Sequence, residues 1–267
     1  MGPAAYTEGE QFQRERRTLF AHAWLPFAAS AQLAAAGDFV SHSIGGWPLF
    51  AIRGDDGVAH GFHNVCRHQS MPVVEQTVGS CEVLRCRYHG WSYAKTGEFL
   101  DAPPRVAPND LREKLSLNAV ELCERDGFCM LRVQPGGTEP PRLLLPTSRF
   151  ATAITTDIDA NWKAVVEALL ADQDCQFVWP LAFTAKAEAD LGIMRQVVPR
   201  SFSRTRIVDL IFGGNDPTDD LAACRSRAAA AKAVAESCQR ARAEGLAPAL
   251  SEEGVEFLRN VALTTRD

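Results

Sequence analysis

Two short stretches of this chain carry residues that could hold a metal. Cys66-Arg67-His68 comes first, and after seventeen intervening residues Cys86-Arg87-Tyr88-His89 follows. Each stretch places one thiolate and one imidazole close enough to ligate from a single loop. A structural zinc site also takes two Cys and two His, but its usual spacing is a Cys pair followed later by a His pair. Here Cys and His alternate, one of each per loop. That suits a [2Fe–2S] centre of the Rieske type, where two cysteines hold one iron and two histidines the other. Neutral imidazoles in place of two thiolates lift the reduction potential above that of an all-cysteine cluster. Cys66, His68, Cys86 and His89 are the candidate ligands, and Arg67, Arg85 and Arg87 beside them bring positive charge that favours the reduced form, with a solvated surface arginine as the plainer reading for Arg85.

Such loops need a rigid holder. From Gly37 to Leu100 short β-rich runs (Phe39-Val40, Pro48 to Ile52, Glu82-Val83-Leu84) alternate with turns such as Gly54-Asp55-Asp56-Gly57, which predicts an antiparallel β scaffold. Residues 8–36 read as helical, with Phe12, Leu19, Phe20 and Trp24 on one face. The cluster-bearing domain spans 37–135, and 1–36 is an N-terminal helical segment packing on the second domain. Val133-Gln134-Pro135-Gly136-Gly137 ends the pattern, and Pro140, Pro141 and Pro146 link to that second domain over 136–267. It opens with a strand at Ala153–Ile158 and a helix from Asn161-Trp162-Lys163 to about Asp172. Strands at Phe183–Ala187, Ile193–Val198 and Thr205–Phe212 follow. A long helix runs between the Asp216-Pro217 cap and the Gly245 stop, with Leu221, Cys224, Ala228, Val234 and Cys238 as its apolar stripe. Ser251 caps a last helix carrying Val255, Leu258 and Val261.

Residues 6 to about 212 resemble the α-subunits of Rieske non-haem iron oxygenases, the ring-hydroxylating and N-demethylating group. The matching pieces are Phe62-His63-Asn64-Val65-Cys66-Arg67-His68, Cys86-Arg87-Tyr88-His89-Gly90-Trp91-Ser92-Tyr93, Gly127-Phe128, and Asn161-Trp162-Lys163 with Glu167. The respiratory Rieske proteins carry an extra Cys in each loop, absent here. The resemblance implies an α+β protein: an all-β Rieske domain followed by a shortened, catalytic-like helix-grip domain.

It also implies a second metal, a mononuclear iron held by two His and one carboxylate with open positions for oxygen and substrate. The family places both His shortly after the Asn-Trp-Lys segment. Here one register puts Asp174 and Trp179 at those positions, and a shift of one residue puts Cys175 and Pro180 there. All six histidines lie at 22, 42, 60, 63, 68 and 89. The expectation is that the mononuclear Fe(II) is absent. In the shifted register Asp172 matches the family's bridging carboxylate, which accepts a hydrogen bond from a neighbouring subunit's Rieske histidine. Asp172 is thus a candidate inter-subunit electron-transfer residue, with a solvent-facing Asp as the plainer reading.

The whole chain narrows the function classes. Its 267 residues are 46% hydrophobic and 23% charged, with a formal charge of −5, which suits a packed globular protein and argues against nucleic-acid binding. No apolar run approaches a membrane span, and the start lacks a signal-type stretch, so the location reads as cytoplasmic. In a reducing compartment Cys81, Cys123, Cys129, Cys175, Cys224 and Cys238 read as core residues. The leading expectation is a Rieske electron-transfer subunit without oxygenase activity of its own. It would form a hetero-oligomer with a catalytic α-subunit, feed that partner's iron, and take electrons from a reductase or ferredoxin. The alternatives are a complete Rieske monooxygenase or dioxygenase with an unorthodox iron site, and a redox-sensing or structural iron–sulfur protein.

Overall fold

A computed structural model describes every residue except 104–111, 144, 146–148, 172–174, 187–190, 214–216, 247–249 and 266–267. The chain divides into two compact units, residues 27–135 and residues 1–26 with 136–267. The expected helix over 8–36 is much shorter. Helices α1 (Ala4–Thr7) and α2 (Gly9–Glu15) lead into one π-helical turn at Arg16–Phe20, and strand β1 then covers Leu25–Ala29. Pro26 accounts for the change. It lacks a backbone N–H, and it pushes Leu25 out of the helical region into extended conformation. The division therefore falls at 26/27 instead of 36/37.

The unit 27–135 is built on strands β2 (Asp38–Ile44), β3 (Trp47–Arg53), β4 (Ala59–His63), β5 (Val78–Ser80), β6 (Leu84–Arg85), β7 (Ser92–Tyr93) and β8 (Phe99–Asp101). The short helix α3 (Arg112–Leu115) precedes β9 (Ala119–Arg125) and β10 (Phe128–Arg132). A seven-stranded sheet runs β1-β10-β9-β4-β3-β2-β5, and a separate three-stranded sheet runs β6-β7-β8. The β9–β10 hairpin turns on Asp126-Gly127, both at positive φ (53° and 81°). Those are the angles a two-residue type I′ turn demands, and Asp-Gly supplies them cheaply. Phe39, Phe50, Phe62, Tyr93 and Phe99 form the core here, and Cys66 and Cys86 belong to the same cluster. Gly97 sits against it at φ +87°, where a Cβ would come within 2.3 Å of the Phe62 ring.

The other unit holds β11 (Phe150–Ile158), α4 (Trp162–Leu170), β12 (Cys175–Val178), β13 (Ala182–Lys186), β14 (Gly192–Ser201), β15 (Arg204–Phe212), α5 (Pro217–Ala243) and α6 (Glu252–Thr264). Its antiparallel sheet is ordered β11-β15-β14-β13-β12. Asn161 caps α4 by accepting from the Lys163 N–H at 3.0 Å, as an N-cap should. On α5, Cys224, Ala228 and Ala235 are buried while Val234 is 48% exposed, so the apolar stripe passes beside Val234. Ser251 caps α6 through the Gly254 N–H, which buries Phe257, Leu258 and Val261 and leaves Val255 outside.

Charged groups also fill this interior. Lys163 Nζ donates to Glu15 Oε1 at 2.6 Å, and Trp162 Nε1 donates to Glu15 Oε2 at 2.7 Å. Arg242 donates to Glu167 Oε2 at 2.9 Å, and the Tyr6 hydroxyl donates to the other oxygen of that carboxylate. The Tyr6 ring lies 5.3 Å from the Lys163 ammonium and 4.8 Å from the Arg242 guanidinium, measured to its centroid. Burial pushes the Lys163 pKa down, opposed by the attraction of Glu15. The N-terminal segment thus supplies the counter-charge for α4. Among the described residues no helix is long and apolar enough to cross a membrane.

Candidate iron–sulfur site

The first candidate loop leaves the end of β4 and the second joins β6 to β7. Their backbones repeat one pattern. The Cys66 N–H donates to Met71 O at 2.7 Å and the Ser70 N–H returns to Cys66 O at 3.0 Å. In the second loop the Cys86 N–H donates to Trp91 O at 2.8 Å and the Gly90 N–H to Cys86 O at 2.9 Å. The fourth residue after each Cys has positive φ, 58° at Ser70 and 73° at Gly90. Each loop therefore turns its Cys inward and its His outward in the same way.

Both cysteines are 2% exposed and the two histidines are exposed. The His68 and His89 rings lie 4.7 Å apart between centroids, at an interplanar angle of 70°. Trp91 stacks on His68 at 4.8 Å, and Tyr88 covers His89 at 4.0 Å. Two thiols face the core and two adjacent imidazoles face solvent, which is the donor set of a mixed Cys/His [2Fe–2S] cluster. The Tyr93 hydroxyl lies 3.2 Å from Cys66 Sγ and accepts the Arg67 N–H at 3.1 Å. A Cys66 that ligates as a thiolate can only accept, so the hydroxyl is then the donor of this pair. Burial, then the hydrogen bond to Cys66, raises the Tyr93 pKa, so the phenol stays protonated as a donor. This role for Tyr93 was not read from the sequence, where it appeared only inside the motif. Of the flanking arginines, Arg67 donates to Lys114 O at 3.1 Å and Arg87 pairs with Glu75 at 2.8 Å.

The other histidines serve elsewhere. His42 stacks on Phe27 at 4.1 Å, His60 pairs with Asp56 at 3.2 Å, and His63 meets the edge of Trp47 at 5.6 Å. His22 is exposed and lines a cleft with Trp24 and Trp179.

The positions after α4 do not fit a two-histidine, one-carboxylate iron. Cys175 pairs with Ala185 on β13 and packs among Ile193, Ile211 and Cys224. Trp179 lies edge-on to Phe177 at 6.3 Å and against Phe257 at 6.1 Å, and Pro180 is buried. On the same sheet face Arg195 binds Asp209 through two hydrogen bonds of 2.7 and 2.9 Å. Asp172 and Asp174 lie outside the described residues. Among the described residues that follow α4, no three His, Cys, Asp or Glu side chains come together as the holders of a single metal ion would.

Residues 23–119 match the Rieske [2Fe-2S] domain family. This chain carries a Rieske domain and is homologous to Rieske oxygenase subunits. The oxygenase subunit of carnitine monooxygenase from Escherichia coli (strain K12) is 30% identical over 185 residues, covering 64% of this chain and 49% of that protein. The oxygenase subunit of glycine betaine monooxygenase from Chromohalobacter salexigens is 29% identical over 181 residues, covering 61% of this chain and 39% of that one. The chain thus spans less than half the length of these curated relatives. In fold it matches the quaternary ammonium Rieske monooxygenase CntA solved with gamma-butyrobetaine. The TM-score is 0.84 at 19% identity, over 100% of this chain and 95% of that one. Naphthalene 1,2-dioxygenase from Rhodococcus sp. matches with a TM-score of 0.65 at 15% identity, over 91% of this chain and 82% of that one.

These relatives overturn the expectation of a Rieske-only electron-transfer subunit. They are whole oxygenase subunits, and one of the matched folds is solved with its substrate bound. The Rieske domain and the helix-grip domain are both retained here as in an oxygenase.

Proposed function

We propose that this Rieske chain is the oxygenase subunit of a monooxygenase system, with a second domain that departs from the two-histidine iron pattern. One observation carries the reading: paired loops presenting Cys66, His68, Cys86 and His89, joined in one chain to a helix-covered antiparallel sheet with the Asn161-Trp162-Lys163 and Glu167 core. The cluster, when bound, supplies one-electron transfer. The chain's own part is to keep the sulfur end dry through Phe62, Tyr93 and Phe99, and to hold the imidazole end at the surface. A reductase or ferredoxin is the electron donor, and the subunit works in an assembly with others of its kind.

The substrate class is a quaternary ammonium compound, as named for the relatives. A cleft of about 300 Å³ supports it, lined by Trp24 and Trp179 together with His22 and Glu139. Indole faces attract a methylated ammonium through their quadrupoles, and a carboxylate adds Coulomb attraction. The test is a single turnover. The chemically reduced protein, supplemented with ferrous iron, is exposed to oxygen with carnitine, gamma-butyrobetaine or glycine betaine, and products are read by mass spectrometry. Substrate-dependent oxygen uptake with an oxidised product is expected. A cluster that reoxidises with no product from any of the three overturns the proposal.

A further inference from the structure

The two cluster loops share a backbone pattern but are not flanked alike. The second is closed by a ladder on both sides, with Arg85 facing Ser92 and Leu84 facing Tyr93. The first has none: β4 ends at His63 and the next strand starts at Val78. One side chain stands where that ladder is missing. Asn64 Oδ1 accepts from the Val73 N–H at 2.8 Å and the Val74 N–H at 3.0 Å. Its Nδ2 donates to Val74 O at 2.7 Å and to Ser41 Oγ at 3.0 Å.

Those four bonds use both donors and both acceptor sites of the amide. They tie the end of β4 to the chain leaving the loop and to β2, and the residue is only 8% exposed. A buried amide so saturated has one orientation, because any other leaves buried polar groups unpaired. Cys66 and His68 lie between the two points it clamps. So does Arg67, whose N–H orients the Tyr93 hydroxyl toward Cys66 Sγ.

We infer that Asn64 is a positioning residue for electron entry, a side-chain substitute for the missing ladder that sets the hydrogen bond on the Cys66 sulfur. It acts through Arg67 and Tyr93 and touches no ligand itself. The inference rests on Cys66, His68, Cys86 and His89 being the ligand set, and its test separates the two ideas.

Midpoint potentials and EPR spectra are compared for the wild type, Asn64→Ser, Tyr93→Phe and the double variant. A hydrogen bond to a thiolate sulfur favours the reduced cluster, so each single change should lower the potential. The double variant should match Tyr93→Phe alone, because Asn64 has nothing left to act through. Additive shifts, or an unchanged potential in Asn64→Ser at full cluster content, overturn the inference. Where Asn64→Ser holds no cluster, Ser41→Ala replaces it; a smaller shift of the same sign supports the inference and no shift overturns it. In the protein freed of iron, hydrogen exchange at the Val73 and Val74 amides should accelerate in Asn64→Ser, and unchanged exchange contradicts the clamp. That readout holds even if other residues ligate the cluster.

Discussion

Tyr93 and Glu15 show how single side chains set the properties of the two units. The Tyr93 hydroxyl accepts the Arg67 N–H, and with Cys66 ligating as a thiolate it would donate to a sulfur whose charge grows on reduction. Tyr93→Phe should keep the cluster and lower its midpoint potential, as measured by redox titration of the visible spectrum; an unchanged potential would remove the hydroxyl from the account. Glu15 is the partner of an ammonium with no exposed surface. Glu15→Ala strands Lys163 and should destabilise the unit holding α4 by about 3–5 kcal/mol, whereas Glu15→Leu with Lys163→Met should recover most of that loss. Urea unfolding followed by tryptophan fluorescence reads both. The candidate ligands stood out because Cys-x-His and Cys-x-x-His have few other uses, and the fold brings the two histidine rings together. Tyr93, Asn64 and Glu15 were not, since their partners lie 27, 10 and 148 positions away.

Among the elements, both cluster loops depend on a left-handed residue four places after the Cys. Gly90 takes that angle freely, but Ser70 does so against its Cβ. Ser70→Gly should leave the cluster intact, while the β-branched Ser70→Val should destabilise the unit by about 1–2 kcal/mol; equal stability of the two variants would contradict the loop geometry. Across the seven-stranded sheet, Arg53 on β3 grips Glu124 on β9 through bonds of 2.8 and 2.9 Å. The hydrogen bond from Arg53 holds the Glu124 pKa below the usual carboxylate range. A folded pKa below the unfolded one stabilises above the ordinary value near 4.3 and is lost as pH falls through the lowered one. Arg53→Met should therefore flatten the acid side of the stability profile below about pH 5, and an unaltered acid limb would count against it. Helix α4 was readable from its Asn161 cap, and strands β14 and β15 from their long apolar runs. Strand β12 was missed because Cys175-Gln176-Phe177-Val178 is too short to separate from a helical pattern. The helix stripes were misplaced at Val234 and Val255, where neighbouring Ala235 and Phe257 turn inward instead.

For the whole molecule, an all-β Rieske domain followed by an α+β domain was expected from the cluster motif and the family resemblance, whereas periodicity misplaced the boundary between them by ten residues. The functional class was legible only in part. The missing histidines belong to one site, while the relatives and the matched folds speak for the architecture around it. The electron-transfer chemistry depends on one cluster held between the two loops. The most direct measurement is the EPR spectrum of the dithionite-reduced protein beside that of His89→Ala. A Rieske-type signal in the wild type, lost in the variant because its iron keeps a single imidazole, is the predicted result. No such signal in the wild type, or the same signal in both proteins, would contradict it.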